Sequence, residues 1–203
     1  NGVYQSNVQP GDVKYVDVNG DGAIDANDKV DLGNGLPKYT FGLNLNLGYK
    51  GFDLSLNATG AAGFQIAQSY RDPNSSQSNY SRQILDRWTG EGTSNRIPRV
   101  TYGDVGNWQF SDLYLQDGDY IRLQNITLGY DFKRLISWKG LSKLRLYVQA
   151  QNLFTLTKYD GMDPEIGSFN GTDGNNNDTW VSGVDMGYYP HPRTFIVGIN
   201  LAF

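Results

Sequence analysis

The chain has 203 residues, a net charge of −4 and no cysteine. Mixed signs without a basic run disfavour nucleic acid as a partner, because phosphate recognition needs clustered Lys and Arg, and the missing thiols exclude a disulfide framework or a thiolate zinc site. No stretch approaches the roughly 20 apolar residues of a membrane helix, yet 25 glycines, 13% aromatics and a mean hydropathy of −0.51 suit a many-stranded β protein, including a membrane barrel whose strands are apolar on one face only.

Residues 1 to 38 are expected to form a loop with a site inside it. No charged and apolar leader precedes this loop, which puts any secretion signal upstream of Asn1. Asp17-Val18-Asn19-Gly20-Asp21-Gly22-Ala23-Ile24-Asp25-Ala26-Asn27-Asp28 matches the twelve-residue calcium loop. Oxygen side chains stand at positions 1, 3, 5, 9 and 12, and glycine stands at position 6. The candidate ligands are Asp17, Asn19, Asp21, Asp25 and Asp28, with the carbonyl of Ala23. Asp28 takes the place of the usual Glu, so bidentate reach is shorter and weaker affinity is expected. Lys14-Tyr15-Val16 looks like a strand, so the loop is a structural calcium staple and not a helix–loop–helix switch. The alternative is a turn whose Asp and Asn side chains bond their own backbone. Its crowded carboxylates would then repel one another without a cation.

Strands follow. Phe41, Leu43, Leu45, Leu47 and Tyr49 alternate with small or polar residues, and after Lys50-Gly51 so do Phe52, Leu54, Leu56 and Ala58. This pattern predicts an antiparallel hairpin with a tight link. Residues 64 to 118 form a long insertion, in which Ser81 is placed to cap a short helix through Trp88. Ile126, Leu128, Tyr130 and Phe132 share one face of the next strand, and Ile121 and Leu123 are in the opposite phase; a bulge near Gln124-Asn125, or exit from the bilayer there, would explain the flip. Leu144, Leu146, Val148 and Ala150 mark a fourth strand, residues 155 to 192 a second long loop, and Phe195, Val197, Ile199, Leu201 and Phe203 the closing strand.

Connections between these five strands run short, long, short, long. In an antiparallel meander every long loop then lies on one side, as in outer-membrane barrels with short periplasmic turns and long external loops. The apolar stripes carry no Asp, Glu, Lys or Arg, where a lipid-facing charge at mid-bilayer costs roughly 2–4 kcal/mol. Tyr49, Tyr130, Phe132 and Phe203 gather near the short-link ends, where an aromatic girdle belongs. The expected fold is therefore all-β: an antiparallel transmembrane barrel segment of about five strands with long extracellular loops. Five strands cannot close, since an open edge in lipid leaves backbone groups unpaired, so further strands are expected from a longer polypeptide or another piece.

Several stretches point further. They are Pro10-Gly11-Asp12-Val13-Lys14-Tyr15, Arg87-Trp88-Thr89 with Arg96-Ile97-Pro98-Arg99, and Asp117 through Tyr130. Gln151 through Tyr159, Asp163-Pro164-Glu165, and Tyr189-Pro190-His191-Pro192-Arg193-Thr194-Phe195 complete the set. Together, and in this order, they resemble the C-terminal region of SusC/RagA-type TonB-linked outer-membrane transporters. The resemblance implies a 22-stranded plugged barrel in the outer membrane of a Gram-negative cell, importing glycans or peptides. It also implies a SusD-like surface lipoprotein as cap, TonB acting through an N-terminal region absent here, and Phe203 as the terminal aromatic read during barrel assembly. On that basis residues 1–38 are an extracellular loop and residues 39–203 the last strands and loops.

No base–nucleophile or acid pair stands out, so no enzyme is expected. Asp163 and Glu165 could suggest a glycosidase, but Asp163-Pro164 more often marks a turn. His191, the single histidine, sits between prolines without a nucleophile partner. Loop aromatics are the candidate contacts for sugar rings or peptide side chains: Trp88, Tyr102, Trp108, Tyr114, Trp180, Tyr188 and Tyr189. The bland alternative is that they pack the loops. The competing function is a secreted, calcium-stabilised β-sandwich that binds carbohydrate, in which the apolar stripes would be buried between two sheets.

Overall fold

The computed structural model describes residue 5 and residues 8–69, 82–100, 106–166 and 183–203. The chain divides into two compact units, residues 1–33 with 69–115, and residues 34–68 with 116–203.

The second unit holds one large sheet. Its strands are β1 (Tyr39–Tyr49) and β2 (Phe52–Ala62), followed by the short β3 (Gln65–Gln68) and β4 (Leu115–Asp117), then β5 (Tyr120–Asp131), β6 (Lys143–Thr157), the two-residue β7 (Val184–Asp185) and β8 (Thr194–Ala202). Five of them form an antiparallel meander in the order β1-β2-β5-β6-β8. The β1–β2 link turns through Lys50 (φ 47°) and Gly51 (φ 95°). Two positive φ values in a two-residue loop make the mirror-image turn whose twist matches its strands. β5 and β6 are joined through a 3-10 turn at Phe132–Arg134. The short and long connections alternate as expected from the pattern.

The faces also follow the pattern. The register slips between Asn57 and Ala58 and between Leu123 and Asn125, so a bulge at Gln124 brings Leu123 and Ile121 onto the face of Ile126 and Leu128. Leu45 (39% exposed), Leu128 (47%), Val148 (51%) and Ile199 (54%) are open to the surroundings. A sandwich needs these four covered by a second sheet; among the described residues none covers them. No helix among the described residues is long and apolar enough to cross a membrane.

Some local expectations change. β6 continues past Gln151 to Thr157, where a loop was expected from residue 155. Asn152 takes φ 50° and absorbs a phase break that looks like the end of a strand. Asn tolerates that left-handed backbone better than most residues. The helix through Trp88 is a 3-10 turn over Arg82–Asp86, and Ser81 lies outside the described residues. Lys14-Tyr15-Val16 is not a strand. In the first unit its neighbours are tied by side chains instead: Asn107 Oδ1 accepts from the Val13 N–H (2.8 Å), and the Tyr15 hydroxyl donates to the Gly106 carbonyl (2.8 Å).

A second, small sheet in the order β4-β3-β7 has no counterpart in the periodicity. It accompanies a small core of Ala61, Phe64, Ile66 and Tyr159, with Tyr120 and Ile166 against it. The Tyr159 hydroxyl donates to Asp185 Oδ2 (2.6 Å), and Asp185 Oδ1 accepts the N–H groups of Gly187 (2.9 Å) and Tyr188 (3.0 Å). A fully buried carboxylate is thereby supplied with the donors it needs.

Candidate functional site

The polar face of the large sheet carries an ion pair across its middle strands. Asp53 on β2 accepts from Arg145 on β6 at 2.8 Å to Nε and 2.5 Å to Nη2. The pair spans the strand between them at Gly129, where a Cβ would stand 2.6 Å from Arg145 Nε and Asp53 Oδ1. Glycine leaves room there for the ion pair, which occupies the place of a side chain and would have to shift for a larger residue.

A denser cluster lies at the long-loop end of the sheet. Arg122 of β5 is 2% exposed. Its Nε donates to Thr155 Oγ1 of β6 (3.0 Å), its Nη1 to Glu165 Oε2 (2.9 Å) and its Nη2 to Asp163 Oδ1. Asp163 is also accepting the N–H groups of Glu165 (2.9 Å) and His191 (3.1 Å). His191 Nδ1 stands 2.9 Å from Arg122 Nη1 and 3.1 Å from Asp163 Oδ2. A protonated Nδ1 donates to Asp163; a bare one accepts from Arg122. Burial pushes the Asp163 carboxyl up, but the two backbone N–H groups, the His191 ring and the Arg122 guanidinium together hold it below the ordinary carboxylate range.

One arginine thus ties β5 and β6 to the Asp163-Pro164-Glu165 turn and to His191, just ahead of β8. The cluster borders a cavity of about 390 Å³ that Asn152 and Arg193 also line. Its chemistry is that of a brace: each acid in it has its donor, and among the described residues no nucleophile stands beside a base. His191 and the Asp163–Glu165 turn were visible in the sequence as separate features. Arg122, which unites them, was missed; the available signal was a lone arginine in strand phase with Thr and Asn on a polar face.

In the first unit the Asp-rich loop is closed by its own backbone. Asp17 accepts the N–H groups of Gly20 (2.7 Å) and Gly22 (2.8 Å), and Asp21 accepts that of Ala23 (2.9 Å). Asp25 caps the 3-10 turn Ala26–Asp28 through the Asn27 N–H. Asp28 is the clasp: its carboxylate accepts the N–H groups of Val18 and Asp25, both at 2.8 Å. The hydrogen bonds from Asp25 and then Val18 lower its pKa. Among the described residues no three Asp, Glu or His side chains stand together in a metal-holding group. The same unit has a buried brace of its own, where Asp12 accepts from Arg99 Nε (2.6 Å), Arg99 Nη2 (3.0 Å) and Asn107 Nδ2 (2.9 Å).

The described candidate aromatics are divided between the two units. Trp88, Trp108 and Tyr114 belong to the first unit and are half-buried. The Trp88 ring packs over Gly11, where a Cβ would collide with it, and the Tyr114 hydroxyl donates to the Asn107 carbonyl (2.5 Å). Tyr188 (42% exposed) and Tyr189 (82% exposed) belong to the second unit. Trp180 and Tyr102 lie outside the described residues.

Comparison with known proteins places this architecture. No family model matches the chain. TonB-dependent receptor P3 of Formosa agariphila is 34% identical over 196 residues, 96% of this chain and 19% of the relative. TonB-dependent receptor SusC of Bacteroides thetaiotaomicron is 32% identical over 206 residues, 99% of this chain and 18% of the relative. The chain belongs to the SusC/RagA-type TonB-dependent receptors. The RagAB peptide importer in its open-open state superimposes with a TM-score of 0.65 at 24% identity, over 90% of this chain and 19% of that one. The chain spans about a fifth of the length of the relatives it matches. As a SusC/RagA-type segment it resides in the outer membrane. The relatives are receptors and importers in name, not enzymes.

Proposed function

We propose that this chain is part of a TonB-dependent outer-membrane transporter that imports oligosaccharides or peptides together with a SusD-like lipoprotein. The observation that carries the reading is the sheet itself: an uncharged, exposed apolar stripe on one face, charges on the other, and long loops at one end only. The polar face would line the passage, and the Arg122 brace would hold the loop around residue 163 and the approach to β8 in fixed positions at its mouth. Trp88, Trp108, Tyr114, Trp180, Tyr188 and Tyr189 are the proposed substrate contacts, with Tyr189 the most accessible of those described. TonB, engaged through the rest of the receptor, would supply the energy.

The experiment is uptake of labelled oligosaccharides and peptides by cells with and without the complete receptor. Loss of import on deleting the receptor, and equally on deleting TonB or the lipoprotein, is the expected result. Undiminished import in all three strains overturns the proposal.

For the Asp17–Asp28 loop we propose a structural calcium ion. Its donors are all oxygens, the chemistry calcium prefers, and each carboxylate oxygen that accepts one N–H retains a second lone pair. Asp17, Asn19, Asp21, Asp25, Asp28 and the Ala23 carbonyl would hold it. Calcium titration of the receptor, followed by calorimetry and by protease resistance of the 17–28 segment, tests this. A signal that persists in D17N/D21N refutes the assignment.

A further inference from the structure

We propose that the rim of the sheet at the short-link end docks the headgroups of anionic phospholipid. The inference rests on the barrel reading above, which puts this rim at the periplasmic leaflet. Residues 48–53, 129–147 and 198–203 make up the rim. They hold six of the chain's 17 Lys and Arg but two of its 21 Asp and Glu. An acidic chain thus presents a basic edge at one end of its strands.

Two of the six cations are bonded to polar groups, and a third lies over a ring. Arg145 is paired with Asp53, Lys133 Nζ donates to the carbonyls of Trp138 (2.7 Å) and Ile136 (3.4 Å), and Lys50 Nζ stands 5.1 Å from the centroid of the Tyr49 ring. Lys50, Arg134, Lys139 and Lys143 are exposed, and none of them has a described ion-pair partner. Beside them stand apolar side chains without cover: Leu135 is 69% exposed and Trp138 60%. Trp138 meets Phe203 edge-on at 6.3 Å, which holds the indole at the end of β8. Leu141, 4% exposed, anchors the same connection from within.

A merely solvated rim explains the cations but not the uncovered Leu and Trp among them. A membrane interface explains both. Trp prefers the headgroup level, apolar tips enter the acyl boundary, and basic residues are drawn to anionic lipid at short range. These four exposed cations lie where the apolar stripe ends, so the headgroup phosphates of lipids packed on the stripe come within their reach.

The test uses the complete receptor in detergent, titrated with phosphatidylglycerol or phosphatidylcholine, with bound lipid counted by native mass spectrometry. The wild type should retain phosphatidylglycerol several-fold more than phosphatidylcholine. K50Q/R134Q/K139Q/K143Q should reduce that ratio at least about fivefold, the contribution of one basic side chain. The charge-keeping variant K50R/R134K/K139R/K143R should preserve it. Equal retention of the two lipids by the wild type, or an unchanged ratio in the neutral variant, overturns the proposal. Insertion into phosphatidylcholine vesicles and the heat-dependent gel shift of a folded barrel are read on the same samples. Failure there overturns the barrel reading as well; an inserted barrel without lipid preference overturns this inference alone.

Discussion

The Arg122 cluster and the Asp17–Asp28 loop both crowd acids together, one in each compact unit, and they are stabilised by different means. Asp163 is 3% exposed, and a guanidinium is built into its site. The loop carboxylates are exposed at Asp21 and Asp25 and half-exposed at Asp17 and Asp28, no cation side chain among the described residues bonds them, and their partners are the N–H groups of their own turn. The difference follows from solvent. A buried carboxylate must have its charge answered inside the protein, whereas an exposed one keeps water and needs only local donors to set its geometry. The first arrangement fixes distant segments to one another; the second fixes twelve residues to themselves.

The comparison is broken most severely at Arg122. Arg122→Ala leaves Asp163 buried beside Glu165 without its guanidinium, and loss of one member of a buried pair costs roughly 3–5 kcal/mol. The folded receptor should lose its heat-resistant gel band at a distinctly lower temperature. Adding Asp163→Ala to that variant should recover much of the loss, because the stranded charge is then gone. An unchanged melting temperature in Arg122→Ala would show that water already reaches the site.

This pair of sites also separates what the sequence makes legible from what it hides. Alternation placed all five large strands, the Lys50-Gly51 turn and the Gln124 bulge, because each of these is a local period or a break in one. The Asp17–Asp28 loop was visible for the same reason: its chemistry is confined to one short stretch. Arg122, Asp163 and His191 are 28 to 69 residues apart in their mutual contacts, and no period connects them. The short strands β3, β4 and β7 were hidden likewise, since two to four residues carry no measurable alternation.

The Asp53–Arg145 pair falls between the two extremes, with side chains 38% and 18% exposed. Gly129→Val would drive two methyl groups into the space where these side chains meet. Overpacking typically costs about 1–3 kcal/mol, and partial exposure of the pair lets it move aside, so the lower end is expected. Gly129→Ala should cost less, and Asp53→Ala combined with Gly129→Val should be milder than Gly129→Val alone. Urea unfolding of the three variants in lipid vesicles measures this. Equal losses in Gly129→Val with and without Asp53 would mean that the glycine serves the backbone and not the ion pair.

The smallest effect is expected at Asp28, where acid sharpens the contrast. Asp163 and Asp28 both have carboxyl pKa values held below the ordinary value near 3.9. A depressed pKa contributes stability above the unfolded value, and that contribution is lost as pH falls through the lower folded value. Both sites should therefore be intact at neutral pH and weaken only under acid. Protonation at Asp163 undoes a brace between segments; protonation at Asp28 releases only the N–H groups of Val18 and Asp25. Asp28→Asn at pH 7, with chelator present, imitates the second event alone. Hydrogen exchange should then quicken in peptides covering residues 17–28 and stay unchanged in those covering 155–166. Identical exchange in wild type and Asp28→Asn would show that Asp17 and Asp21 hold the turn without the clasp.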